Sequence, residues 1–389
     1  LEARTFPNRA QRAPREGQDA PKTEKEDRPN MKHRSVRQNR RILNEKVANM
    51  APSWLPKSKQ NRRKIDAKID RKNDASWNRF LEGCWWIFGS KMEACWHQNR
   101  TKIDANIQEL FFEKTKGMNM RNAIFVDNTA NAKIASTYAN YLKNNIGVVT
   151  CNKIACADEF VNYQSLKKLS RKFNAPFLFE TNVGAGLPVI DTLNHLIASG
   201  DCIRSIQAVL SGSLNFVFNS FDDSTSFRKV VEQAMKEGYT EPDPKIDLSG
   251  IDVARKILIL VRESGNVLEL TDIENKSFLP KACLDTKTNE DFLESLDIHN
   301  AHFNELYAAA KKKNARLKYV ATFEGGKASV GLQQIPEGHD FYNLEGSDNI
   351  VLFYTNRYAR QPLIVKGAGA GADVTASGIF ADIIRIGKS

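Results

Sequence analysis

From Arg121 onward the sequence alternates short apolar runs with amphipathic stretches of helical length, which confines the chain to folds in which helices pack against a sheet. Residues 123–126, 147–149 and 177–179 read as buried strands, with helical spacing over 130–144 and 157–173 between them. Strand, helix, strand in that order is a βαβ unit. A helix follows at about 188–199 with Pro188 in its first turn, then a strand over 206–210, a helix over 226–236 and a long helix over about 250–264. Segments 317–333 and 350–366 alternate as antiparallel strands do. The class is therefore α/β or mixed α+β.

The net charge of +11 invites a polyanion partner until its distribution is examined. Residues 1–74 hold 21 Lys and Arg against 10 Asp and Glu, and the other 315 residues hold 36 of each. All the excess lies at one end, in a stretch rich in Arg, Lys, Asn and Pro that is expected to be a disordered basic segment. A nucleic-acid binder acting through that segment is the weakest functional reading, because it offers charge without a stacking surface. Between 75 and 118 the texture changes again, with Trp77, Trp85, Trp86 and Trp96 crowded together.

The six cysteines contain no Cys-x-x-Cys pair and are too sparse for a disulfide framework, so they read as reduced thiols in a cytoplasmic protein. No apolar run reaches the roughly 18 residues of a membrane span. No secretion signal or organelle transit peptide is expected, the latter because Glu2, Glu16, Asp19, Glu24, Glu26 and Asp27 break the acid-poor pattern.

Several motifs carry chemistry. Residues 238–244 (GYTEPDP) and 251–256 (IDVARK) gather carboxylates and cations around a proline-stiffened loop and a helix start. Asp252 and Lys256 share a helical face. Spacing alone favours a solvated surface pair there, with Ser249-x-x-Asp252 as a near capping box. The apolar run at 257–261 argues instead for enclosure. Residues 180–188 (ETNVGAGLP) join a strand to a helix, with Glu180 at the strand end and two glycines permitting close backbone approach to a ligand. An ordinary turn explains that segment equally well. Asp127-Asn128-Thr129 and Thr150-Cys151-Asn152-Lys153 each follow a strand, at the sheet edge where α/β folds bind ligands. Near the end a strand runs into Gly367-Ala368-Gly369-Ala370-Gly371, a loop able to approach a phosphate. The histidines at 195, 299, 302 and 339 show no metal-ligand spacing.

These segments, in this order, resemble homoserine dehydrogenase, and 180–190 and 238–262 look like the C-terminal half of the bifunctional aspartate kinase–homoserine dehydrogenases. The resemblance covers about 270 residues, and no aspartate-kinase segment is present. It implies NAD(P)-dependent interconversion of L-aspartate 4-semialdehyde and L-homoserine, in the biosynthesis of threonine, methionine and isoleucine. Carried over residue by residue, Lys256 and Lys153 are the catalytic lysines, Lys153 also lying beside the cofactor. Glu241, Asp252 and Asp247 bind the substrate, and Asn128, Thr129 and Gly371 bind NADP or NAD. Glu180 with the backbone of Val183, Ala185 and Leu187 holds a monovalent cation, sodium. A homodimer is implied, with a small-molecule substrate and no membrane.

The implied architecture is a Rossmann-like nucleotide-binding domain plus a mixed α+β substrate and dimerisation domain. Expected boundaries are 75–150 for an incomplete nucleotide-binding part, 151–345 for the substrate domain and 346–389 for a C-terminal return to the nucleotide side. The family's opening Gly-x-Gly-x-x-Gly turn is not found, since residues 1–120 contain only Gly17, Gly83, Gly89 and Gly117. The nucleotide half is thus expected to be degenerate or missing, with family-like text beginning near Met118. A catalytically impaired remnant is the alternative reading.

Overall fold

In the computed structural model, which describes residues 105–120 and 122–388, two sheets carry the fold. The basic segment 1–74, the tryptophans and the first part of the 75–150 segment lie outside the described residues. Helix α1 (Ala105–Gly117) precedes a parallel sheet of β1 (Ile124–Asp127), β2 (Gly147–Thr150) and β3 (Phe177–Leu178), ordered β1-β2-β3. Ile124 faces Gly147 and Val148 faces Phe177 in its register.

The expected helix over 130–144 is two helices, α2 (Ala132–Ala135) and α3 (Tyr138–Lys143). The side chains at the break compete for the backbone: Ser136 donates to the Lys133 carbonyl at 2.8 Å and Thr137 to the Ile134 carbonyl at 2.7 Å. Between β2 and β3 stand α4 (Ile154–Ala157), whose N-cap is Lys153, and α5 (Phe160–Lys172), so the helix expected from residue 157 starts three residues later.

After a single 3-10 turn at Glu180–Asn182, helix α6 (Val189–Ala198) leads to a six-stranded sheet. Its strands are β4 (Ile203–Val209), β5 (Glu274–Lys276), β6 (Ala315–Glu324), β7 (Lys327–Pro336), β8 (Asp348–Thr355) and β9 (Leu363–Ala368), ordered β5-β7-β6-β4-β8-β9. All pairs are antiparallel except β5–β7. Helices α7 (Gly212–Ser220), α8 (Phe227–Lys236), α9 (Pro244–Leu248), α10 (Ile251–Glu263), α11 (Lys281–Leu284), α12 (Asn289–Ile298) and α13 (Asn300–Lys312) fall within this part. Both faces of the sheet are covered around β8, since Val351 and Phe353 join the main core while Ile350 and Leu352 join a second cluster with Val209, Val320 and Phe341.

Helix α10 ties the six-stranded sheet to helices α4 and α6. Val253, Ala254 and the unbroken run 257–261 are buried, and the helix touches α4 and α6 on one side and β6 and β7 on the other. Each fully buried Ile, Leu or Val there contributes roughly 2 kcal/mol. Its start differs from expectation. Ser249 is not the cap: the N-cap is Gly250, left-handed at φ 75, and a Cβ there would lie 1.9 Å from the Tyr319 hydroxyl oxygen. Only glycine admits that approach, because Tyr319 packs into the turn and donates to Asn275 Oδ1 at 3.0 Å.

The segment 346–389 divides between the sheets. Strands β8 and β9 belong to the six-stranded sheet, whereas α14 (Ala372–Lys388) packs on β2 and on the 3-10 turn. That packing is close, for a Cβ on Gly378 would stand 2.6 Å from the Thr181 methyl. Among the described residues no helix is long and apolar enough to cross a membrane.

Candidate active site

Lys153 follows β2 and Lys256 lies on α10, so they come from different layers of the fold. The structure brings them to one carboxylate. Asp252 Oδ2 is 2.9 Å from Lys256 Nζ, and Oδ1 is 3.4 Å from Lys153 Nζ. Lys256 also donates to the Leu210 carbonyl at 2.6 Å, at the end of β4. Burial disfavours charge on Asp252, but the two ammonium groups outweigh it and hold the carboxyl well below the usual carboxylate range. The surface-pair reading of Asp252 and Lys256 therefore fails: the Lys256 side chain is 13% exposed, and a second lysine shares its partner.

The loop before α10 is built around Asp247. Its Oδ2 accepts from the Glu241 N–H at 2.8 Å and its Oδ1 lies 2.9 Å from the Ser213 hydroxyl, which also meets the Tyr239 carbonyl at 2.6 Å. Burial pushes the Asp247 carboxyl up despite these bonds. Both its oxygens thus serve the loop and set the backbone of Glu241, whose residue is exposed. Asp243 caps α9 through the Lys245 N–H, and Tyr239 stacks on Phe216 with ring centres 4.2 Å apart. Ser213 was invisible to sequence reasoning, because it lies 34 residues before its partner in an unremarkable Ser-Gly-Ser.

At the edge of the parallel sheet, Asn128 and Thr129 are exposed. They are presented by Asp127, which is 1% exposed and accepts from the Thr129 N–H at 2.8 Å, the Tyr138 hydroxyl and Asn152 Nδ2 at 3.1 Å. Asn152 also donates to the Asn131 carbonyl at 3.1 Å, so one network holds the turns after β1 and β2. In the late glycine loop the residues differ in role. A Cβ on Gly369 would strike the Asn349 side chain at 2.1 Å, so that glycine serves packing. Gly371, at φ 114, has open space where a Cβ would sit.

Glu180 is buried and works as a helix cap: Oε1 accepts from the Ile190 N–H at 2.7 Å and Oε2 from the Asp191 N–H at 2.8 Å, at the start of α6. Burial pushes its carboxyl up to about 7, and that of neighbouring Asp382 up to about 6. In the loop that follows, Gly184 and Ala185 are left-handed at φ 79 and 52, and the Leu187 carbonyl accepts from the Val189 N–H at 2.8 Å. Among the described residues no group of three His, Cys, Asp or Glu side chains is placed to hold a metal.

Comparison with known proteins shows the family. Residues 188–384 match the family model for homoserine dehydrogenase, and residues 90–180 match that for the homoserine dehydrogenase NAD-binding domain. The second match begins upstream of Met118, so the expectation that family-like text starts there is corrected to about residue 90. Homoserine dehydrogenase of Schizosaccharomyces pombe is 40% identical over 272 residues, covering 68% of this chain and 72% of that protein. The chloroplastic bifunctional aspartokinase/homoserine dehydrogenase 1 of Zea mays is 42% identical over 289 residues, 72% of this chain and 31% of that protein. The chain thus spans about a third of the length of such bifunctional relatives. A Candida auris structure described as a protein of unknown function superposes with a TM-score of 0.68 at 36% identity, covering 75% of this chain and 82% of that one. A hyperthermophilic archaeal homoserine dehydrogenase in complex with NADPH superposes with a TM-score of 0.55 at 28% identity, covering 72% and 74%. Neither the nucleic-acid reading nor that of an impaired remnant draws support from these matches. With both family models matched and two thirds of the chain aligned to the yeast enzyme, the chain belongs to the homoserine dehydrogenase family.

Proposed function

We propose that the chain interconverts L-aspartate 4-semialdehyde and L-homoserine with NADP or NAD, as a homodimer in the cytoplasm, on the path to threonine, methionine and isoleucine. The observation that carries this reading is the meeting of Lys153 and Lys256 on Asp252. When bound, a nicotinamide cofactor supplies the hydride in the reducing direction and accepts it in the other; Asn128, Thr129, Lys153 and Gly371 are the residues that would hold it. Lys256 has three N–H groups, of which two are committed to Leu210 and Asp252. The third is left for the aldehyde oxygen, where it stabilises negative charge as the carbonyl is reduced and then delivers the proton. Asp252, kept ionised by its neighbours, fixes both ammonium groups and stands with Glu241 as a partner for the substrate's cationic amino group. Asp247 contributes by holding the Glu241 backbone.

Glu180 with the carbonyls of Val183, Ala185 and Leu187 would hold the monovalent cation. In support, the set is all oxygen and the left-handed backbone at 184 and 185 turns the loop tightly. Each Glu180 oxygen accepts one amide, which leaves lone pairs for an ion. The experiment is direct: purified chain, NADPH and L-aspartate 4-semialdehyde, followed at the reduced-nicotinamide absorbance. Loss of absorbance dependent on both enzyme and aldehyde is expected, and a flat trace with NADPH and with NADH rejects the reading.

A further inference from the structure

Helix α10 carries Asp252 and Lys256 near its start and Arg262 at its end. Ten residues separate Asp252 from Arg262, about 15 Å of helix. The Arg262 side chain is fully buried. Its Nη1 donates to the carbonyls of Cys156 at 2.9 Å and Asp158 at 2.6 Å, and Nε and Nη2 donate to the Leu268 carbonyl at 3.1 and 3.0 Å. Nη2 also pairs with Glu269 Oε2 at 2.8 Å, and the guanidinium lies over the rings of Phe160 and Tyr163 at 5.7 and 5.4 Å.

These partners are not scattered. Cys156 and Asp158 present the carbonyl end of α4, the helix capped at its other end by Lys153. The Glu269 carboxylate accepts from the Phe160 N–H at 2.9 and 3.1 Å, the first amide of α5. A cation thus meets the carbonyl end of one helix and its paired anion meets the amide end of the next, the polarity that both termini require. The peptide bearing Lys153 is fastened on its other side by Asn152, whose N–H binds Thr150 Oγ1 at 2.8 Å and whose carboxamide binds Asp127. Between the two fastenings, Lys153 reaches Asp252 on the same helix that carries Arg262.

We propose that Arg262, paired with Glu269, is a positioning residue that holds Lys153 against Asp252 and so beside Lys256. The role in turnover rests on the function proposed above; the holding of Lys153 does not. Arg262→Lys keeps a charge, but an ammonium cannot reproduce the planar fork that serves Cys156, Asp158, Leu268 and Glu269 together.

Acetic anhydride at limiting concentration, read by peptide mass spectrometry on the full chain, reports the accessibility of each lysine without any turnover. Arg262→Lys is expected to label Lys153 several-fold faster than wild type while Lys256 labels at an unchanged rate. Equal labelling of Lys153 in both proteins overturns the proposal. In kinetics, Arg262→Lys is expected to lower kcat at least 10-fold and to lower it less than 2-fold further in a Lys153→Ala background, because both changes remove one contribution. Fully additive losses overturn it as well. If Arg262→Lys shows no cooperative thermal transition, Glu269→Gln, which removes the anion and keeps the side-chain shape, is read in both assays by the same criteria. A wild-type chain without turnover rejects the function alone, and labelling still decides whether the clamp holds Lys153.

Discussion

Asp252 and Lys256 stand one helical turn apart with Oδ2 and Nζ at 2.9 Å, and the other oxygen of that carboxylate reaches Lys153, the N-cap residue of α4. A pair that would be an ordinary surface feature on an isolated helix becomes the junction of two layers. Its position follows from α10, buried along 257–261 and touching α4 and α6 on one side and β6 and β7 on the other.

Asp252→Asn should be destabilising in a pH-dependent way. The folded carboxyl lies below its ordinary value, so its contribution is present above the unfolded pKa of about 3.9 and is lost as pH falls through the folded value. The gap in Tm between wild type and variant should be constant above roughly pH 5 and close as the pH drops below about 4. Melting curves over that range check this, and a gap that widens in acid contradicts it.

Glu241→Ala should raise the substrate KM. Removing one charge-assisted bond to an amino group costs about 2 kcal/mol, or ~30-fold, with kcat little changed. Steady-state kinetics with varied homoserine separate this from a loop collapse, which would lower kcat as well.

Much of this was legible in the sequence. The strands read at 123–126 and 147–149 and the helix read at about 250–264 follow from apolar runs and lie within a residue of the observed 124–127, 147–150 and 251–263. The resemblance put Lys153, Asp252 and Lys256 in one site without showing that both lysines meet on Asp252. Helices α12 and α13 escaped because their apolar signal is thin; α13 buries only Phe303 and Ala310. The break at Ser136–Thr137 needed knowledge of which hydroxyls turn back on the helix. Long-range partners such as Ser213 with Asp247, Tyr319 with Gly250 and Glu269 with Phe160 leave no local trace, because each residue is ordinary where it stands and gains meaning only from a neighbour far along the chain.

Gly250→Ala tests the entry to α10. A Cβ there would meet the Tyr319 hydroxyl at 1.9 Å on a left-handed backbone. Strain and overpacking together should cost about 2–4 kcal/mol. Urea denaturation measures it, and a loss under about 0.5 kcal/mol would mean the turn relaxes freely.

The cation loop predicts that the choice of salt matters. Replacing sodium chloride by tetramethylammonium chloride at equal ionic strength should lower the Tm of the wild type by several degrees, since a bound ion stabilises only the folded form. Glu180→Gln should be insensitive to the exchange. Equal melting of the wild type in both salts removes the ion from Glu180.

Lys256→Ala, assayed beside the wild type with NADPH and L-aspartate 4-semialdehyde, bears most directly on the proposed chemistry. The third N–H of Lys256 is assigned to an interaction that strengthens only as charge develops on the aldehyde oxygen, so kcat should fall by about 10²-fold or more while NADPH affinity, read by nicotinamide fluorescence, stays within about twofold. A variant that turns over like the wild type, or one that loses rate only because it no longer binds NADPH, would contradict the assignment of Lys256 as the catalytic lysine.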